Sequence, residues 1–434
     1  MSLKKSLIKN TGFNLASYVY LLLASFFSIS ILLRNLGSDM FGVYLFLGSI
    51  VPLASVFDFG ISNAVVRRLS LPNLKDSERI QTWKTSFSLF LIIGIVLSLL
   101  ISAILIYLSN SLPLLENVNP LTLNLTILIL TITVFINHIN SHLLSLPQAE
   151  QRFDVFNSKT LLVGSANTIL SAIFSGYYPD ISLIFLLQLV FHILTLIFMA
   201  RYSSRIFSGK NFLPKFYKNE GKILVGFGLK NFVGTLASQI EAQFSKYALG
   251  VMVSAQAITA FSIPQSIVAK GAGVVSQVAQ AFFPLGTSLL EKQRVRKLRA
   301  SVIAIQLLTF IGGILAIFLS FSVGKEFLMW WLKDAVVVEA AYPVLKILSI
   351  YFVLTALTPI PSVLLQSLNK PQIPSFFAVF TVVTEIILIL ILTPKYQVVG
   401  VAYGVLLASV ITVPPFLFVT WRIFTKEMMA IERE

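Results

Sequence analysis

Stretches of about twenty apolar residues recur along almost the whole of this chain, and a run of that length is what a helix needs to cross a bilayer. Twelve candidate spans are predicted, over residues 12–34, 41–66, 85–108, 121–146, 157–177, 181–201, 223–249, 256–288, 300–323, 342–367, 374–393 and 400–422. Hydrophobic residues make up 56% of the chain and charged residues 12%, about half the charge of a soluble domain. The expected class is therefore an all-α, multi-pass integral membrane protein. The seventh span is the most polar, with Lys230, Asn231, Ser238, Gln239, Glu241, Gln243 and Lys246. The first run follows Lys4, Lys5 and Lys9 but is too long for a signal sequence, and it reads as an uncleaved span.

Basic residues sort by loop. Arg67, Arg68, Lys75, Arg79 and Lys84 share one turn, Arg201 to Lys222 another, and Lys292 to Arg299 a third. The turns Ser109–Pro120 and Tyr177–Asp180 hold no Lys or Arg. This is the positive-inside pattern, with both termini cytoplasmic. It accounts for the net charge of +15 without nucleic acid as a partner. The basic stretch near the middle divides the chain into an N-terminal bundle (1–205), a cytoplasmic connector (206–222) and a C-terminal bundle (223–434), with six spans in each bundle. Weak echoes 217 positions apart, such as Asn14 with Asn231 and Tyr44 with Phe261, fit two parallel repeats around a central cavity, an architecture found in transporters.

Charges inside spans are costly unless they face a partner or water, which makes them functional candidates. Asp58, Lys230, Glu241, Lys270 and Glu385 qualify. Lys270 lies near mid-bilayer, while Lys246 and Lys346 lie near helix ends, from which they can snorkel. Asn14, Ser17 and Tyr18 share a face of span 1, and Lys270 and Gln277 share a stripe of span 8. Two readings compete: a polar cavity lined by spans 1, 2, 7 and 8, or helix packing through small and polar residues. Packing explains the serines but not the deep lysines. Glu385 is either an ion pair with Lys346 or a coupling site for H⁺ or Na⁺, as are Asp58 and Glu241. His138 and His142 lack an evident third metal ligand and read as interfacial. Trp330 and Trp331 read as an interfacial belt beside the external segment Gly324–Ala341. There is no cysteine, no phosphate-binding loop and no external acid–base–nucleophile cluster, so no metal, no resident cofactor and no enzyme chemistry is expected.

Several motifs look familiar. Arg34-Asn35-Leu36-Gly37, then Phe41-Gly42-Val43-Tyr44, Asp58-Phe59-Gly60 and Arg67 follow in order; later come Gln239-Ile240-Glu241, the stretch from Pro361 to Pro371, and Gly400-Val401-Ala402-Tyr403. In order and spacing they resemble bacterial polysaccharide flippases, the Wzx-type O-antigen transporters of the multidrug/oligosaccharidyl-lipid/polysaccharide (MATE-like) superfamily. Glu241 stands where the family usually has Asp, and Ala242 where a basic residue is common. The resemblance implies a flippase of the bacterial inner membrane, working by alternating access. It would move an undecaprenyl-diphosphate-linked oligosaccharide, an O-antigen or capsule repeat unit, to the external leaflet. It also implies partners among membrane lipids and the polymerase and chain-length proteins; a monomer is expected. Lys270 and Lys230 would take the diphosphate. Asn14, Ser17, Tyr18, Asn231 and Gln277 would take sugars. Two other classes stay open: an ion-coupled organic-cation exporter of the same superfamily, and a membrane glycan polymerase or ligase. An exporter of cations wants an acidic cavity, which the deep lysines oppose.

Overall fold

The computed structural model describes residues 3–109, 111–207, 213–291, 295–368 and 370–431; side chains are described within these ranges except at 3–16, 230, 231, 281, 283–291, 295, 428, 430 and 431. The described residues are nearly all helical and include no strand. Among the described residues, eight helices are long and apolar enough to cross a membrane, or nine when the bent pair 218–229 and 232–252 counts as one. The count falls below twelve partly because predicted turns are kinks in continuous helices. Helix α1 (Leu3–Gly48) breaks at Gly37, whose φ of 75° lies in the left-handed region that glycine adopts without strain. Three short helices follow: α2 (Ile50–Ser55), α3 (Ile61–Leu69) after a break at Phe59 and Gly60, and, past the long α4 (Asp76–Ser109), α5 (Pro113–Glu116).

Two compact units emerge, Met1–Gln239 and Ile240–Glu434. In the first, α6 (Pro120–Ala149) packs between α4 and α9 (Ile181–Ile206). The predicted fifth span is α7 (Phe153–Ser165), a π-turn at Ala166–Leu170, and α8 (Ser171–Ser175). The starts of α6 and α9 carry caps. Asn119 Oδ1 accepts the Leu121 amide at 2.9 Å, ahead of Pro120, and Asp180 Oδ1 accepts those of Ser182 at 2.7 Å and Leu183 at 3.3 Å. At the basic end, Arg68 forks onto Glu220, with Nη2–Oε1 at 2.9 Å and Nε–Oε2 at 3.3 Å, and the Thr82 hydroxyl donates to Oε2 at 2.9 Å. Glu220 opens α10 (Lys218–Met252), so the start of that helix is tied to the first unit.

In the second unit α11 (Ala255–Glu291) lies against α14 (Ala335–Ala356) and α15 (Pro359–Ser367). Helix α12 (Val295–Ser322) and α16 (Gln372–Ile431), kinked at Gln397, complete it. The segment after α12, predicted to be external, is not a loop. It folds into α13 (Gly324–Leu332), in which Trp331 is buried while Trp330 stays exposed, so only one of the pair can serve an interfacial belt.

Candidate transport site

In the first unit, the break in span 2 sets the geometry. Asp58 Oδ1 accepts the Gly60 amide at 2.7 Å, and Oδ2 accepts both the amide of Ser62, at 3.3 Å, and its hydroxyl. Phe59 and Gly60 both have positive φ, 53° and 70°. The Asp-x-Gly motif is thus a turn held by its own carboxylate, and it re-starts the chain as α3. Gly60 meets Gly228 of α10 backbone to backbone: a Cβ at either glycine would collide with the other strand's carbonyl oxygen. Next to that contact, the Arg67 guanidinium lies 4.5 Å from the centre of the Phe227 ring, and Phe59 and Phe232 pack at 4.9 Å.

Ser17 is buried and Tyr18 half-buried. The side chains of Asn14, Lys230 and Asn231 lie outside the described residues. His138 and His142, which read as interfacial from sequence, are both buried where α6 packs on α4. His138 Nδ1 sits 3.0 Å from the Val134 carbonyl oxygen. His142 lies 4.0 Å from the Trp83 ring and within 3.2 Å of the Ser86 hydroxyl. Apolar surroundings on α4, invisible in the sequence of α6 alone, drew both rings inward.

A cavity of about 250 Å³ in this unit was not foreseen. Its polar lining includes Ser55, Thr133 and Asn137, with Lys159 of α7, Asn167 of the π-turn and His192 of α9; apolar side chains such as Leu130, Val163 and Phe185 line it as well. His192 is buried, and its Nδ1 has no hydrogen-bond partner. Lys159 stands two residues inside the predicted span, so its position alone carried no depth signal. The π-turn, which re-aims Asn167, was likewise absent from the hydropathy pattern.

In the second unit, Lys270 is half-buried in α11, with Nζ 3.5 Å from the Ser266 carbonyl oxygen. Gln277 is exposed two turns further on. Glu385 is 2% exposed, and it lies near enough to Glu241 and Tyr351 for their charges to act on one another. Glu241, Thr355, Thr381 and Thr412 line a second cavity of about 140 Å³. No ion pair joins Glu385 to Lys346 among the described residues. The Lys346 ammonium instead lies 4.7 Å from the centre of the Tyr342 ring and 5.7 Å from that of Phe321. Lys246 donates to Gln243 at 2.9 Å. The Gly-x-Ala motif is a packing contact: Cβ atoms at Gly400 and Gly404 would strike the backbone at Leu392 and Ile389.

The fold is shared with solved transporters. The chain resembles the lipid II flippase MurJ in an inward closed conformation, with a TM-score of 0.74 and 16% identity, covering 98% of this chain and 90% of that one. An inward-facing multidrug resistance transporter of the MATE family matches with a TM-score of 0.69 and 15% identity, over 98% and 96% of the two chains. In sequence, a Shigella flexneri protein named as an O-antigen transporter is 25% identical over 407 residues, 92% of this chain and 93% of the relative. Residues 7–290, well over half of the chain, match the family described as polysaccharide biosynthesis protein. The chain is a member of the polysaccharide biosynthesis protein family, a multi-pass helical membrane protein with the MATE-like transporter fold.

Proposed function

We propose that this protein is a flippase that carries a lipid-linked oligosaccharide, an undecaprenyl-diphosphate-linked repeat unit, from the cytoplasmic to the external leaflet of the bacterial inner membrane. The observation that carries this reading is the near end-to-end relationship to a protein named as an O-antigen transporter. The fold alone does not choose between a flippase and a drug exporter, since it is common to both. The deep cations favour an anionic cargo. Lys270 and Lys230 bind the diphosphate, by contacts that strengthen where water is scarce. Asn14, Ser17, Tyr18, Asn231 and Gln277 face the glycan.

Transport proceeds by alternating access of two six-span halves, twelve crossings in all, with both termini and the Arg201–Lys222 stretch in the cytoplasm. The protein acts as a monomer and passes its product to polymerase and chain-length proteins. Coupling to H⁺ or Na⁺ belongs at Glu241 and Glu385, which share one electrostatic neighbourhood. Asp58 is a weaker coupling site, since its oxygens already hold the α3 turn.

The experiment is complementation of a flippase-deficient strain, with membrane abundance measured in parallel. Lys270→Ala abolishes surface glycan, Lys270→Arg keeps part of it, and Lys246→Ala matters less. Wild-type activity from Lys270→Ala, or equal loss from Ala and Arg, would remove the diphosphate role.

A further inference from the structure

We propose that the cavity inside the first unit is a binding site for a phosphate-sized oxyanion, with Lys159 as its charged ligand. Lys159 lines a space of about 250 Å³ together with Ser55, Thr133, Asn137, Asn167 and His192. Nothing acidic lines that space. No ion pair to Lys159 occurs among the described residues, and the charged neighbour acting on His192 is Lys159 itself. An ammonium drawn out of bulk water without a counter-charge is unfavourable. An anion entering the cavity supplies that counter-charge.

The lining also suits an anion with several acceptor oxygens better than a simple halide. Side-chain amides from Asn137 and Asn167 and the ammonium come from three different elements, and so can address separate oxygens, while the Ser55 and Thr133 hydroxyls already donate to the Pro52 and Ile129 carbonyl oxygens, at 2.6 and 2.8 Å. His192 adds an imidazole with Nδ1 unpartnered and the residue only 4% exposed. A buried nitrogen of this kind costs free energy until something hydrogen-bonds to it. Gln188 likewise already donates to the Tyr44 and Ser171 hydroxyls, at 2.9 and 3.0 Å, and serves as a wall. The cavity is much larger than the roughly 30 Å³ that one water occupies. Asn167 sits on the π-turn, a distortion that recurs at functional sites because it re-aims side chains.

The oxyanion can be free phosphate or a phosphate of a lipid-linked molecule, and the test separates the two. Inorganic phosphate is titrated into the full-length protein in detergent, with binding read by calorimetry and by the shift in thermal unfolding. Wild type should bind saturably, Lys159→Gln at least tenfold more weakly, and Lys159→Arg within about threefold of wild type. Asn167→Asp places a carboxylate beside the ammonium. It should suppress phosphate binding even if Lys159→Gln proves unstable. Displacement of phosphate by undecaprenyl diphosphate assigns the site to a lipid-borne headgroup; binding without displacement assigns it to the free anion. Absence of saturable phosphate binding in wild type would overturn the proposal, as would undiminished binding in Lys159→Gln or in Asn167→Asp.

Discussion

Gly228→Ala is the sharpest test of how the first unit is held together. In an ordinary helix this change gains up to about 1 kcal/mol, because alanine loses less backbone entropy than glycine. At position 228 the added Cβ would meet the Phe59 carbonyl oxygen and lie 3.0 Å from the Gly60 carbonyl carbon and 3.1 Å from the Ile61 nitrogen. All three are backbone atoms, so no side-chain rotation relieves the overlap; helix and turn must part. Overpacking of this kind costs about 1–3 kcal/mol. With nothing flexible to yield, the upper end applies, for a net loss of about 2 kcal/mol. Gly226→Ala, two residues away on the same helix, meets nothing within 4 Å and should be neutral or stabilising by up to ~1 kcal/mol. The pair should therefore differ by about 3 kcal/mol, more than a hundredfold in the unfolding equilibrium at 1.4 kcal/mol per decade. Unfolding of purified variants by SDS titration in mixed micelles measures this directly. Equal stability of Gly228→Ala and Gly226→Ala would refute the backbone contact between the turn and α10. Gly60→Ala should be worse than either, since its φ of 70° adds about 1–2 kcal/mol of left-handed strain to the collision.

Three further outcomes follow from the same geometry. Glu220→Gln leaves the Arg68 guanidinium without its fork; with Arg68 one-fifth exposed, the loss should be about 2–3 kcal/mol in the same assay, and less for Arg68→Gln/Glu220→Gln together. Burial pulls the Asp180 carboxyl upward, but hydrogen bonds from the Ser182 hydroxyl, the Ser182 and Leu183 amides and the Thr122 hydroxyl outweigh it and hold its pKa below the usual value. Its contribution to stability is thus present above about pH 4 and lost as the pH falls through the lower folded value, so Asp180→Asn should flatten the acid limb of a stability-against-pH curve. Single cysteines placed in this naturally Cys-free chain should label from the cytoplasm near Lys215, and external labelling there would overturn the proposed topology.

The helical membrane class was legible because span length is a property of the solvent: about twenty apolar residues mean a bilayer whatever the tertiary fold. The turns at Gly37 and around 393–400 were legible as interruptions of the apolar pattern, though not as kinks in helices that otherwise run on. The motifs that carried the family resemblance proved to be architectural. Asp58 with Gly60, Gly37 and Gly400 make turns and close backbone contacts. Such constraints tolerate few residue types, which is why they leave a readable mark. The polar interior left almost none. Lys159 and His192 sit 33 residues apart on α7 and α9 and acquire meaning only where those helices meet. His138 and His142 were placed at the interface because hydropathy reports average depth, not which face of a helix meets Trp83 and Phe90. Depth alone offers a Glu385–Lys346 ion pair as one of two readings, yet the aromatic rings of Tyr342 and Phe321 hold that lysine elsewhere.

Transport itself is tested most directly in proteoliposomes loaded with an undecaprenyl-diphosphate-linked oligosaccharide, by following how much of it an external glycosidase can reach. The account predicts that wild-type protein exposes the inner-leaflet pool over time, that Lys270→Ala leaves it protected as in protein-free vesicles, and that Lys270→Arg falls between. Protection of the inner pool in vesicles bearing folded wild-type protein would contradict it.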